Sequence, residues 1–439
     1  MRPKINKWII AAIATFVLVA VLLILVPLLR GHPLIYGSSS YNELLNAKSC
    51  TGLCNPYQML LGLMIDQVPL ENLIVIIHVL FGLVSALGLW LFVYQRIKIK
   101  KMAFFTLLSF ILLPGFIVGF STPSKAALAI PLIIWAVYLL TDKKLMYYGL
   151  PLLAIAMAIR PVYAIAGAIF LLSKKENPIW IKTGSVLWAI LSIGWINPIH
   201  GVYSFEQVIK TVIFDFGALG GISLVHLILA VVGIVLIGKK STVLLLTFLS
   251  AVVLQFFMLG VSGILLIVTA VYSGYTITKL FEKKWILPLL RITTLIIAIV
   301  GLLIPAGVTL VQSRENLPNE TLNSALGVLA EYEGNIVLSA AEYSSYIKWK
   351  AEKQPLISPE TSTLLLKNQT QEIFSSRNLK KTKSLLELNK VDYILITEEM
   401  RQGLIWKEEG EGLLFLLRNN ETFKRIHQVS DVEIWEVLW

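Results

Sequence analysis

The chain has 439 residues, 56% of them hydrophobic, with a formal net charge of +11 and a mean hydropathy of +0.75. That composition excludes an ordinary soluble globular protein, and the long apolar blocks indicate a polytopic α-helical membrane protein. Residues 1–311 hold 23 Lys/Arg and 8 Asp/Glu, whereas residues 312–439 hold 15 and 19, so the basic excess reads as a topology signal and not as a nucleic-acid footprint.

The chain opens with Arg2, Lys4 and Lys7, followed by an apolar run from about Trp8 to Leu29. This run is too long for a signal-peptide core, and no small-residue cleavage site precedes Arg30, so it reads as a first transmembrane helix with its amino end in the cytoplasm. A polar segment then runs from Pro33 to about Asn72, beginning PLIYGSSSYNELLNAK. It contains both cysteines, Cys50 and Cys54, which are either a small-loop disulfide or two free thiols.

Further spans are expected at Glu71–Tyr94, Met102–Phe120 and Ala126–Leu140. Leu145–Leu172 follows, broken at Arg160–Pro161, then Trp180–Ile196, Ala218–Ile237, Val243–Leu259, Gly263–Leu280 and Leu287–Val311. The break decides the topology. Proline removes a helical hydrogen bond, and the residue before it resists αR geometry. Two short arms folded there leave Lys174, Lys175, Lys239, Lys240, Lys283 and Lys284 on the cytoplasmic side; a single helix would put them all outside. The broken reading gives about eleven membrane segments and an extracytoplasmic carboxyl tail. Three N-x-T triplets in that tail, at Asn319, Asn368 and Asn420, agree with this side as candidate N-glycosylation sites.

The expected organisation is therefore a multi-span domain over 1–311, with a first outer loop at 30–71, and a soluble α/β domain over 312–439. Within the tail, Asn335–Ala340, Pro355–Ser358 and Val391–Thr397 read as strands, and Glu342–Ala351 and Leu379–Asn389 as helices. Phe423–Gln428 and Val432–Val437 read as a hairpin around Ser430–Asp431.

Among ionisable groups, Arg291 can snorkel, and His78 and His226 read as helix contacts. The expected outer face is more informative. It gathers the acids Glu43, Asp66, Glu71, Glu206 and Asp215 and the bases Arg30, Lys48, Lys125, Arg160 and Lys210. Basic groups on that face run against the positive-inside bias. Lys125, Arg160 and Lys210 would suit a lipid-linked phosphate or pyrophosphate, with lipid headgroup contact as the alternative.

The run PLIYGSSSYNELLNAK with NPYQMLLGLM, then LLPGFIVGFSTPSKAALAIPLIIW, the Arg160–Pro161 break and the tail runs AAEYSSYIKWKAEKQPLIS, VDYILIT and FKRIHQVSDVEIWEV together resemble the GT-C class of integral membrane glycosyltransferases. They are most similar to proteins like the archaeal oligosaccharyltransferase catalytic subunit. The resemblance implies transfer of a sugar from a polyprenyl-(pyro)phosphate carrier to a glycan, protein or lipid acceptor on the outer face. It also implies a divalent cation, Mg²⁺ or Mn²⁺; the charge distribution gives no nucleic-acid partner.

The chain departs from the family pattern in its acids. In Gly37-Ser38-Ser39-Ser40-Tyr41, Ser39 stands where the family has an Asp. Ser121-Thr122-Pro123-Ser124-Lys125 carries no acid, and the tail has no WWD-like motif. A serine hydroxyl is no carboxylate base, and divalent ions want carboxylate oxygens. Glu43, four residues on, is the candidate base; Asp66 or Asp215 could add an oxygen. A catalytically silent, lipid-binding or assembly subunit is the second reading. A transporter is the third, with neither an internal repeat nor charged mid-span groups to support it.

Overall fold

The structure is a computed structural model. It describes residues 7–29, 35, 37–50, 54–67, 71–142, 144–160, 183, 187, 204–216, 220–237, 248–249, 251–253, 255, 263–315, 319–358, 363–408 and 410–439. Arg30, the arm after Pro161, nearly all of Trp180–Ile196 and most of Val243–Leu259 lie outside the described residues. The chain divides into two compact units. One comprises Met1–Ile35 and Cys50–Arg314, the other Tyr36–Ser49 and Glu315–Trp439.

The first unit is helical. α1 is Lys7–Leu29, α3 Pro56–Gln67, α4 Glu71–Ile97, α5 Lys100–Ile111, α6 Pro114–Ser121, α7 Lys125–Leu140 and α8 Met146–Ile159. α9 is Phe205–Val212, α10 Leu224–Ile237, α11 Gly263–Glu282 and α12 Pro288–Glu315. α2, Ser38–Lys48, belongs to the second unit. Among the described residues, three stretches are long and apolar enough to cross a membrane: Leu73–Ile97, Gly263–Glu282 and Pro288–Gln312. At 1.5 Å per residue, the 25 residues of Leu73–Ile97 span about 37 Å, more than the roughly 30 Å hydrocarbon core.

Two expectations are corrected. Met102–Phe120 is not one straight span: α5 and α6 meet at a 63° bend. Pro114 starts α6, and Leu113 before it is extended at φ −66°, ψ 129°, as a residue preceding proline must be. The segment from Pro33 to Asn72 is not simply a polar loop, since it folds into α2 and the apolar α3. α8 ends at Ile159 for the same proline reason, with Arg160 extended at φ −137°, ψ 101°. Its 14 residues cover about 21 Å, short of a full crossing.

The unit packs α7 on α8 and α4, and α11 on α5 and α10. Glycine sets the closest approaches. A Cβ on Gly274 would lie 2.4 Å from the Thr106 backbone, and one on Gly233 2.4 Å from the Tyr272 carbonyl. Both histidines are helix contacts. His78 meets the Tyr57 hydroxyl at 3.0 Å and the Ile74 carbonyl at 2.6 Å. His226 meets Ser223 Oγ at 2.7 Å and the Ser109 carbonyl at 3.1 Å.

The second unit is built on a five-stranded sheet. Its strands are β1 Ile336–Leu338, β2 Gln354–Pro355, β3 Tyr393–Ile396, β4 Phe423–Val429 and β5 Val432–Val437, in the order β2-β1-β3-β5-β4. β1 runs parallel to β2 and β3, and β5 antiparallel to β3 and β4. Ser430 turns the terminal hairpin at φ 49°. Glu342–Ala351 is not a regular helix: it passes from 3₁₀ through one α-turn into a π-turn at Ile347–Ala351. Helices α13 Glu320–Glu331, α14 Leu364–Ser375 and α15 Leu379–Leu388 belong to the same unit.

Candidate functional site

In the helical unit the basic groups stand at helix ends. Ser124 caps α7: its hydroxyl accepts from the Ala127 amide at 3.3 Å and donates to the Gly119 carbonyl at 3.1 Å. Half-buried Lys125 is the first residue of that helix, so its ammonium stands with the positive end of a helix dipole. Half-buried Arg160 closes α8. The Asn55 side-chain amide donates to the last carbonyls of that helix, Ala158 at 3.3 Å and Ile159 at 2.9 Å, while its carbonyl accepts from the Tyr57 amide at 3.0 Å. Cys50 and Cys54 are disulfide-bonded with a Cα–Cα distance of 6.1 Å, directly before Asn55. Sequence reasoning passed over Asn55; its place beside the Cys pair and ahead of a helix was the available signal.

Lys210 and Asp215 are exposed. Lys210 pairs with Glu206 one helical turn away at 2.7 Å, and that ammonium holds the Glu206 carboxyl below its usual range. One Asp215 oxygen accepts from the Leu224 amide at 2.5 Å and so caps α10. Asp66 lies in the last turn of α3.

In the α/β unit, α2 carries Ser39 and Glu43. Ser40, Tyr41, Leu44 and Ala47 form its buried stripe; exposed Ser39 and half-buried Glu43 stand one turn apart along its edge, with one Glu43 carboxylate oxygen buried. Tyr41 packs on Tyr346 and Trp349, with ring centroids at 5.0 and 6.5 Å. Lys48 pairs with Glu352 at 3.1 Å. Burial raises the Tyr346 and Tyr343 phenols well above their ordinary range. Tyr343 donates to Glu399 at 3.0 Å and accepts from Thr397 at 2.7 Å. A cleft of about 610 Å³ opens beyond β1, lined by Glu342, Lys367, Thr370, Gln371, Arg377 and Glu411 among others. No sequence pattern announced it, because its walls come from four separated segments.

The N-x-T triplets differ in setting. Asn319 caps α13 through the Leu322 amide at 2.8 Å. Asn368 is exposed in mid-helix while its partner Thr370 is 1% exposed. Asn420 is exposed just before β4.

Among the described residues no three His, Cys, Asp or Glu side chains gather as a metal-holding group, and α2 offers Glu43 as its one carboxylate.

The bent apolar bundle together with a mixed α/β unit is the fold of a GT-C membrane glycosyltransferase, in the form seen in archaeal oligosaccharyltransferase. No protein-family model matches the chain, and no curated protein sequence matches it. The Archaeoglobus fulgidus oligosaccharyltransferase in its apo form is similar at TM-score 0.59 and 13% identity, over 89% of this chain and 70% of that one. The same organism's enzyme, in complex with an inhibitory peptide and a dolichol-phosphate, is similar at TM-score 0.56 and 12% identity, over 97% and 74%. Its complex with Zn and sulfate is similar at TM-score 0.59 and 13% identity, over 98% and 73%. The chain is an integral membrane protein with this fold.

Proposed function

We propose that the chain is a membrane glycosyltransferase that moves a sugar from a polyprenyl-phosphate or pyrophosphate carrier to a glycan, protein or lipid acceptor on the outer face. The observation that carries the reading is a fold shared with an oligosaccharyltransferase over 98% of this chain, helical and α/β units together. A similar oligosaccharyltransferase from Archaeoglobus fulgidus is seen in complex with an inhibitory peptide and a dolichol-phosphate, which supports a lipid carrier and an acceptor here. The reading includes about eleven membrane segments, a cytoplasmic amino end and an extracytoplasmic α/β unit.

In this mechanism Lys125 and Arg160 neutralise the carrier phosphate, with Lys210 as a peripheral cation. The acceptor nucleophile attacks the anomeric carbon, and the bond from that carbon to the phosphate oxygen breaks. The acceptor proton passes to the Glu43 carboxylate, and the polyprenyl phosphate leaves as the anion. A single carboxylate suffices for this step, and none of it is routed through a metal. Asp66 or Asp215 is the candidate for a second carboxylate oxygen in this scheme.

The test is sugar transfer from a polyprenyl-phosphate-linked donor by purified protein, with and without EDTA. Transfer that is abolished by Glu43→Gln and survives EDTA is expected. Full transfer by Glu43→Gln eliminates Glu43 as the base. A second reading is favoured by Ser39 at the position of the family's Asp: a catalytically silent subunit that binds the carrier lipid. It predicts dolichyl-phosphate binding that depends on Lys125 and Arg160, with no transfer.

A further inference from the structure

The helix Ser38–Lys48 has 11 residues and no side-chain hydrogen bond at its N-cap. Isolated helices of that length are marginal in water, so its order has to come from what it packs against. Those contacts come from some 300 residues away in sequence and hold its middle and its end. Gly37, just before it, takes φ +82°. At its middle, Tyr41 and Leu44 are fully buried, with the Tyr41 ring against Tyr346 and Trp349. At its end, the Lys48 ammonium sits 5.8 Å over the Trp349 ring and bonds Glu352 at 3.1 Å. Trp349 belongs to the π-turn Ile347–Ala351, and π-turns concentrate at functional sites.

We propose that Tyr346 and Trp349 are positioning residues for sugar transfer: they clamp α2 so that its Ser39–Glu43 face stays ordered. The proposal rests on the transferase reading above. It assigns the aromatic residues of Tyr346–Trp349 a role in turnover without contact with the reacting atoms. Loss of the clamp should therefore lower kcat while leaving carrier affinity alone, because the phosphate-binding cations lie on other helices.

The experiment uses the full chain in lipid nanodiscs, with Trp349→Ala and the conservative Trp349→Phe. Two quantities are read: amide hydrogen exchange over residues 38–48, and kcat and KM for a polyprenyl-phosphate-linked donor. Removing an aromatic contact of this size should speed exchange in α2 by up to about tenfold, with β3 amides unchanged. It should lower kcat by a similar factor with KM for the carrier unchanged, and Trp349→Phe should restore both. Unchanged exchange in Trp349→Ala overturns the clamp. Faster exchange with full kcat overturns its role in transfer. Wild-type protein with no transfer overturns the transferase reading instead, and exchange alone then decides the clamp. If Trp349→Ala does not fold, Lys48→Gln removes only the exposed end of the grip and should speed exchange about twofold.

Discussion

Replacing Asn55 tests how the end of α8, and with it Arg160, is held. Its side chain makes three hydrogen bonds: donations to Ala158 and Ile159 at 3.3 and 2.9 Å, and acceptance from the Tyr57 amide at 3.0 Å. Net worth is about 0.5–1.5 kcal/mol for a well-formed bond, and the 3.3 Å contact belongs at the low end. Asn55→Ala should therefore cost about 2 kcal/mol, on the order of 5 °C in thermal unfolding of the helical unit. Asn55→Asp keeps the acceptor toward Tyr57 but aims a carboxylate at two helix-terminal carbonyls, where the dipole already favours cations. Although nearly isosteric, it should be the more damaging variant at neutral pH. It should recover as the pH falls and the carboxyl regains a proton to donate. The assay is thermal unfolding of the full chain between about pH 4 and 8, with dolichyl-phosphate binding followed in parallel; both variants should weaken binding as Arg160 loses its fixed backbone. An Asn55→Asp protein as stable as wild type at pH 8 would refute the reasoning.

Three further outcomes follow from the packing. Gly274→Ala should cost about 1–3 kcal/mol, because its Cβ meets the Thr106 backbone at 2.4 Å and backbone cannot step aside as a side chain can; thermal unfolding checks it, and Gly307→Ala, where nothing lies within 4 Å, is the control. Glu433 is buried and receives Arg401 at 2.7 Å, Arg425 at 3.5 Å and the Trp435 indole at 2.9 Å. Glu433→Gln should thus destabilise the α/β unit by about 2–4 kcal/mol, less than a fully buried pair because Arg425 is half exposed, and faster exchange in β3 and β5 would report it. Burial raises the phenol pKa of Tyr343 and Tyr346 in the folded state, so the stability they lend is complete below the unfolded value near 10. It is lost as pH rises from there through the folded values, and Tyr346→Phe should flatten that alkaline loss in a pH-dependent unfolding series.

Much of the α/β unit was legible because its elements have local causes. β-branched runs became β1, β3 and β5, and Ser430–Asp431 became the hairpin turn. Helix α14 was passed over: it reads LLLKNQTQEIFS, with few apolar positions after its first turn and only Thr370, Ile373 and Phe374 buried. The regular helix expected over Glu342–Ala351 became a 3₁₀-to-π passage, a distinction that apolar period cannot make. In the helical unit, Pro114 carried a bend that reading the apolar block as one span ignored. The candidate cations were found at helix ends because proline and capping serine place them there, whereas Asn55 was missed because its partners are backbone carbonyls.

By itself the sequence determined that the chain is a membrane protein of long apolar helices, that Arg160 ends a helix, and that the tail holds a mixed sheet. Each of these follows from interactions within a few residues: burial of apolar side chains, proline sterics and strand alternation. Only the tertiary structure decided where residues 36–49 belong. The helix that carries Ser39 and Glu43 groups with the chain's last 125 residues, because Tyr41 finds its burial against Tyr346 and Trp349. Complementarity between surfaces 300 residues apart leaves no period or spacing in the sequence by which it could be read.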